Sequence, residues 1–451
     1  MLDIWPALPL IIWGVDADSP ICVGNIVAAL KFRDRVCHIG LWFSKNLGWE
    51  MLLGQPFPEL TNLELSSMDE MTVVPDSFLV GSVPRLQELV LDRIPFPGLP
   101  KLLLSTTHLV HLDLDHIPHS GYFSPDAMVA ALSTLIGLDF LLLRFESPES
   151  CPDLETRRLP PSTRSVLPAL TEFWFGGVTE YLEDLLTDID APQLNKLSIC
   201  FFNDSVFDMP QLIQFISRTP MSSTLENAHI ALNAGTACVS FRPQIDHDDL
   251  MELKVSILCE GLDWQLSSLE QVCTSCLLFL PTLGGLYINE YTSSEPDWKD
   301  NIGNGPWREL LRPFTAMKNL HLSEKIALRI GPALQEHVEG GTTELLPALE
   351  NIFLEGLESS GRAHCAGRHW TVRCRPTGRR SLYSNFWMGR PGEGTYLLGV
   401  IERSLPLFVI SSCRLLSTHY FPLSHFRVVC LPSTCFALAV LWHHCDSVSF
   451  I

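Results

Sequence analysis

The chain has 451 residues, room for two or three ordinary domains or for one long repeat array. Hydrophobic residues make up 46% of it, which excludes a disordered chain. A formal charge of 31 − 51 = −20 argues against a nucleic-acid binder, because phosphate affinity needs a surplus of Lys and Arg.

The first stretch, Met1 to Val15, is apolar but carries Asp3, Pro6 and Pro9. It has no basic run and no small-residue cleavage site, so it does not read as a secretion signal. Fourteen Cys at irregular spacing do not read as a secreted disulfide framework either. Residues 1–33 are read as the N-terminal edge of an array that occupies 34–358.

That array is a repeat of the unit L-x-x-L-x-L. Its first position falls at Val36, Leu60, Leu86, Leu109, Leu138, Leu170, Leu194, Leu225, Leu250, Leu283, Met317 and Leu349, which makes about twelve irregular units. The copies at Val36 and Leu225 are the weakest. Successive first positions differ by 24, 26, 23, 29, 32, 24, 31, 25, 33, 34 and 32 residues, a spacing centred on leucine-rich repeats. Pro58, Pro84, Pro168, Pro192, Pro281 and Pro347 each lead a copy by two residues. Within a unit the second and third apolar positions are two apart and share one face of a short strand. Stacked units would bury those faces in one continuous core, since none can do so alone.

The segments between strands read as helical or irregular. Tyr181 to Ile189 has apolar residues at 181, 182, 185, 186 and 189, a helical face. Pro210 to Arg218 has the same pattern, with Asp208 as its N-cap and Pro210 in its first turn. Asn301 to Pro306, with Gly303 and Gly305, reads as a turn. The fold class expected is α/β: a leucine-rich-repeat solenoid, a curved parallel sheet with helices or irregular segments on the convex side.

Composition breaks after residue 358. Residues 360–451 hold ten Arg, no Lys and three acids, a charge of +7, which leaves 21 − 48 = −27 for the first 359. An Arg/Cys/His-rich, Lys-free stretch is what translation of a non-coding or shifted frame produces. Residues 359–451 are therefore read as a poorly structured, mistranslated tail. Its apolar run, Val428 to Trp442, is too short to span a bilayer. The chain reads as cytoplasmic or nuclear, with no membrane partner.

Chemistry-bearing motifs are few. Cys273 and Cys276 form a lone C-x-x-C with Cys259 upstream, short of the four ligands of a structural zinc site, and read as buried structural thiols. His364, Cys365, His369 and Cys374, and Cys430, Cys435, His443, His444 and Cys445, have ligand chemistry but lie in the tail. Asp246, Asp248 and Asp249 read as a solvated loop. No G-x-S-x-G, P-loop or G-x-G-x-x-G is present. No catalytic residue, metal or cofactor is expected.

The residue between the last two Leu positions should face the concave side. Down the chain this row reads Gly40, Glu64, Val90, Asp113, Leu142, Trp174, Ser198, His229, Lys254, Tyr287, His321 and Phe353. Trp174, Tyr287 and Phe353 are the kind of aromatic anchors that dominate binding, unless loops or neighbouring side chains cover them. Glu64, Glu88, Asp113 and Asp115 make the early part acidic and would steer a basic partner. The residues expected to meet a partner are Glu64, Asp113, Trp174, Tyr287, His321 and Phe353.

Several stretches resemble the F-box/leucine-rich-repeat-like proteins of basidiomycete fungi. They are Leu2 to Pro9, Asp34 to Ile39, Pro56 to Leu65, Pro84 to Pro100 and Gln214 to Pro220, and the resemblance covers roughly residues 2–357. It implies repeats that hold a substrate and an N-terminal F-box that docks a ubiquitin-ligase adaptor. This chain departs from the pattern by starting at what looks like its first repeat. An adaptor is therefore expected as a partner only if an F-box lies upstream. The expected function is a non-enzymatic, protein-binding repeat module, the substrate-recognition part of such a receptor, with the partner unidentified. The alternatives are a truncated or decaying relative without retained function and an unrecognised hydrolase.

Overall fold

A computed structural model describes residues 8–14, 20–43, 56–68, 73–150, 164–202, 207, 209–243, 251–259, 261–276, 280–290, 303–335, 345–355 and 370–373. All twelve L-x-x-L-x-L copies are strands, and eleven of them start at the third position of the unit. They are β2 (Val36–Phe43), β3 (Asn62–Ser67), β4 (Glu88–Asp92), β5 (His111–Ile117), β6 (Phe140–Phe145), β8 (Glu172–Gly177), β10 (Lys196–Phe202), β11 (Asn227–Asn233), β13 (Glu252–Leu258), β14 (Gly285–Glu290), β15 (Asn319–Ser323) and β16 (Asn351–Glu355). Five strands carry no copy: β1 (Leu10–Gly14), β7 (Ser165–Val166), β9 (Ile189–Asp190), β12 (Thr236–Arg242) and β17 (Trp370–Arg373).

The alternation inside each unit decides which face is covered. Leu63 and Leu65, Leu89 and Leu91, Leu112 and Leu114, and Leu320 and Leu322 are all at most 4% exposed. A fully buried Leu contributes about 1.5–3 kcal/mol, so a unit is stable only with neighbours on both sides of that ladder. Among the described residues, eight helices close this face: α1 (Pro20–Ala29), α2 (Leu99–Leu103), α3 (Pro125–Leu132), α4 (Thr179–Asp188), α5 (Pro210–Arg218), α6 (Leu262–Cys276), α7 (Asn304–Leu311) and α8 (Glu324–Gln335). From α2 onwards each helix packs against the next, a second layer parallel to the sheet. One buried cluster runs from Ile12 to Leu354. The architecture is a leucine-rich-repeat solenoid.

Among the described residues the main sheet has fifteen strands and is mostly parallel, as expected, with antiparallel pairing at β11–β12, β12–β13 and β16–β17. Its order is β1-β2-β3-β4-β5-β6-β8-β10-β13-β12-β11-β14-β15-β16-β17. After α5 the chain skips two strand positions to lay down β11. It then turns at Ala234-Gly235, returns antiparallel as β12, and places β13 beside β10. From there it crosses behind the unit as α6, which packs on β12 and β13, and resumes as β14 beside β11. The units at Leu225 and Leu250 thus stand in reversed spatial order. The signal for β12 is alternation without Leu: Ala237, Val239 and Phe241 point into the core at 0% exposure.

Local endings also differ from the sequence reading. The helix expected to end at Ile189 stops at Asp188, because Ile189 pairs with Ser165 in the small β7–β9 sheet. Asp208 lies outside the described residues, and Met209 precedes α5 with no side-chain cap. The cap comes from the preceding helix: Glu183 accepts hydrogen bonds from the Gln211 and Leu212 N–H groups, both at 2.9 Å. A carboxylate there satisfies two orphan donors and meets the positive end of the helix dipole. Gly303 and Gly305 do not form a free turn, since α7 starts at Asn304. In the segment read as a tail, Trp370–Arg373 pairs antiparallel with β16. The rest of it, with the Cys/His clusters, and the Asp246–Asp249 loop lie outside the described residues.

Candidate functional site

Among the described residues no helix lies on the other face of the sheet, and its side chains form rows running across the strands. The middle row, in spatial order, is Trp13, Gly40, Glu64, Val90, Asp113, Leu142, Trp174, Ser198, Lys254, Ser240, His229, Tyr287, His321 and Phe353. This corrects the order read from sequence, in which Lys254 fell between His229 and Tyr287. The hairpin of β11 and β12 moves Lys254 away and brings His229 against Tyr287.

Three of the six expected residues are brought together. Rings of His229 and Tyr287 stack at 4.3 Å, Tyr287 and His321 at 4.0 Å, and His321 and Phe353 at 4.2 Å, with interplanar angles of 6°, 17° and 11°. Each side chain occupies its neighbours' faces, so Tyr287, His321 and Phe353 are half-buried and show mainly their edges. Beside this ladder, Asn351 donates to Asn319 Oδ1 at 2.8 Å. Gly285 belongs there because a Cβ would overlap Asn227 Oδ1.

Trp174 does not join the ladder, since four strands separate β8 from β14. It is 36% exposed and leans on Phe140 at 6.5 Å, and Phe140 stacks on His111 at 4.2 Å and 4°. Sequence reasoning missed a second aromatic group at the first edge. Trp13 of β1 covers Gly40 and meets Trp42 edge-on at 5.6 Å, and both Trp remain more than a third exposed. The signal was available in Leu10-Ile-Ile-Trp13, an apolar run that fits a strand without matching the repeat.

Glu64 and Asp113 lie two strands apart with Val90 between them. Burial pushes the Asp113 carboxyl up to about 6; Asp115 adds to the rise, Arg144 opposes it, and Asp92 and Glu88 raise it further. Asp113 Oδ1 is buried and accepts no hydrogen bond. Glu64 is likewise raised by burial, with His38 opposing. Next to them His116 Nδ1 sits 3.0 Å from Asp92 Oδ1 and 3.3 Å from Asp115 Oδ1. These three residues are the one group among the described residues with three metal-ligand atoms within 4.8 Å of one another. Arg144 already holds Asp115 Oδ2 at 3.1 Å, so the arrangement is an ion-pair knot on the acidic end of the face.

Among the described residues, the thiols shifted by burial are poor nucleophiles. Burial raises Cys37, Cys200, Cys238 and Cys259, which keeps them protonated near neutrality. Cys273 is buried in α6 at 1% exposure, and the Cys276 side chain lies outside the described residues. No helix among the described residues is long and apolar enough to cross a membrane.

No protein-family model matches the sequence, and no curated protein matches it. Among solved structures it is similar to the leucine-rich repeat-containing protein LegL7 from Legionella pneumophila. Identity is 13%, coverage is 70% of this chain and 90% of that one, and the TM-score is 0.28.

Proposed function

We propose that the open face is a protein-docking surface and that the chain is a non-enzymatic recognition module. The observation that carries this reading is the ring ladder from His229 to Phe353, on the side of the sheet that no helix among the described residues covers. Rings locked by mutual stacking lose little further entropy on binding, and Tyr and Trp are enriched among residues that dominate interface energy. The acidic end, from Glu64 to Asp115, adds a field that attracts basic segments. The resemblance of residues 2–357 to F-box/leucine-rich-repeat-like proteins favours one finer role, the substrate-recognition part of a ubiquitin-ligase receptor.

The docking test is a photo-crosslinking side chain placed at His321 and, as a control, at Trp264. Trp264 is 64% exposed on α6, behind the sheet. A discrete partner captured from His321 alone supports docking, and equal capture from both positions sinks it. The ligase role has its own test, recovery of a ligase adaptor with the product of the complete gene. A clean failure there removes the receptor reading and leaves docking intact.

A further inference from the structure

The reversed unit leaves a notch in the open face between two aromatic ridges. Across the middle row the side chains run Trp174, Ser198, Lys254, Ser240, His229, so one Lys stands between two serines where both flanks carry rings. The floor is small as well: Ser240 and Ser256 are buried at 7% and 8%, and Cys238 lies beside them. The recess holds about 170 Å³ and is lined among others by Lys254, His229, Ser240, Arg242, Glu252 and Asn289. That is room for about five waters at ~30 Å³ each.

Among the described residues the charges around the notch are matched, except one. Glu172 is held by Lys196 at 3.0 Å. Glu252 is held by Arg242 through Nη2 at 2.8 Å and Nε at 3.1 Å. Lys254 is half-buried, and among the described residues no carboxylate lies within ion-pair distance of its ammonium. Asn289 completes the lining with an amide oxygen that is buried and accepts no hydrogen bond. Turned over, that amide would offer two donors in the oxygen's place. In a chain region of charge −27 this is a local positive hole, and the surrounding acids beyond a Debye length of about 10 Å are screened.

We infer that the notch is an oxyanion site, in which Lys254, flanked by Ser240 and Asn289, receives a carboxylate or phosphate group. The site goes beyond the docking proposal and does not depend on it, because a small anion suffices to fill it.

The test is competition acylation of the full chain with dilute acetic anhydride, read at each Lys by mass spectrometry at fixed ionic strength. The probes are inorganic phosphate, N-acetylglutamate N-methylamide and, as the uncharged control, N-acetylglutamine N-methylamide. Acylation of Lys254 should slow about threefold and saturate, while the exposed Lys101 and Lys318 stay unchanged. Phosphate alone acting assigns a phosphate group, and the glutamate derivative alone acting assigns an acidic side chain. Protection of Lys254 that is no greater than at Lys101, or that never saturates, overturns the site. Asn289→Asp, nearly isosteric but negative, should raise the probe concentration needed about fivefold. An unchanged requirement would place the anion outside the notch and also overturn the proposal.

Discussion

His229 and Tyr287 face each other in register on adjacent strands, with ring centroids 4.3 Å apart, although a helix and two further strands of chain intervene. That contact exists only because β11 skips past the position next to β10. It extends the three-ring stack of the later repeats to four rings, ending at the oxyanion notch.

The stack should be worth measuring at its centre. Tyr287 touches a ring on each side, and an aromatic pair contributes about 0.5–1.5 kcal/mol beyond area burial. Tyr287→Ala should therefore cost about 1–3 kcal/mol in urea unfolding. Tyr287→Phe, which keeps both ring contacts, should cost far less. Equal losses would mean that the rings do not support one another.

The acidic end gives a pH dependence whose sign is fixed. The Asp113 carboxyl is raised from 3.8 to about 6 in the fold, so the folded chain binds a proton more readily than the unfolded one. Stability from this group thus falls as pH rises from about 4 to 6 and stays lowered above that. Asp113→Asn removes the penalty. The variant should match the parent below about pH 4 and gain about 1 kcal/mol above pH 6, after discounting for solvent screening. Thermal unfolding across that range reads the difference, and a variant less stable at pH 7 would contradict it.

A third outcome links Asp113 to a glycine two strands away. A Cβ on Gly176 would overlap Arg144 Cγ, so Gly176→Ala must push the Arg144 side chain off its seat. Arg144 then leaves Asp115 and no longer holds the Asp113 carboxyl down. In the Gly176→Ala background, the advantage of Asp113→Asn should keep growing to a higher pH and level off at a larger value. Unchanged midpoints would show that Arg144 finds another route to the same carboxylates.

The cap on α5 can be read amide by amide. Glu183→Ala removes the acceptor of the Gln211 and Leu212 N–H groups. Losing an N-terminal cap costs about 1 kcal/mol, so hydrogen exchange at those two amides should quicken by about five- to tenfold. Glu183→Gln should fall between, since it keeps an acceptor oxygen and loses the charge.

The repeat itself was legible because period and residue type agree. Every L-x-x-L-x-L copy is a strand, even the weak ones at Val36 and Leu225. What escaped is what a one-dimensional pattern does not encode. Strand order follows the chain only while a long return segment separates successive strands, and the short Asn233-to-Thr236 turn makes a hairpin instead. The middle-row residues were identified correctly strand by strand, yet their neighbours were not, so Trp174 was grouped with rings it never meets. Glu183 was hidden for a similar reason, because its partner lies on another helix.

The skipped and refilled strand position has a kinetic consequence. In a plain solenoid each unit docks on the one made just before it, and folding spreads along the chain like a closing zip. Here β10 gains its second neighbour, β13, only after β11, the turn and β12 have been laid down, and β11, paired at once with β12, meets β14 only after α6. Closing those long loops costs entropy before any contact returns it, which slows folding. The first eight main-sheet strands and the last four can each assemble by local docking. The three-strand unit between them is the step at which the two halves must wait for each other.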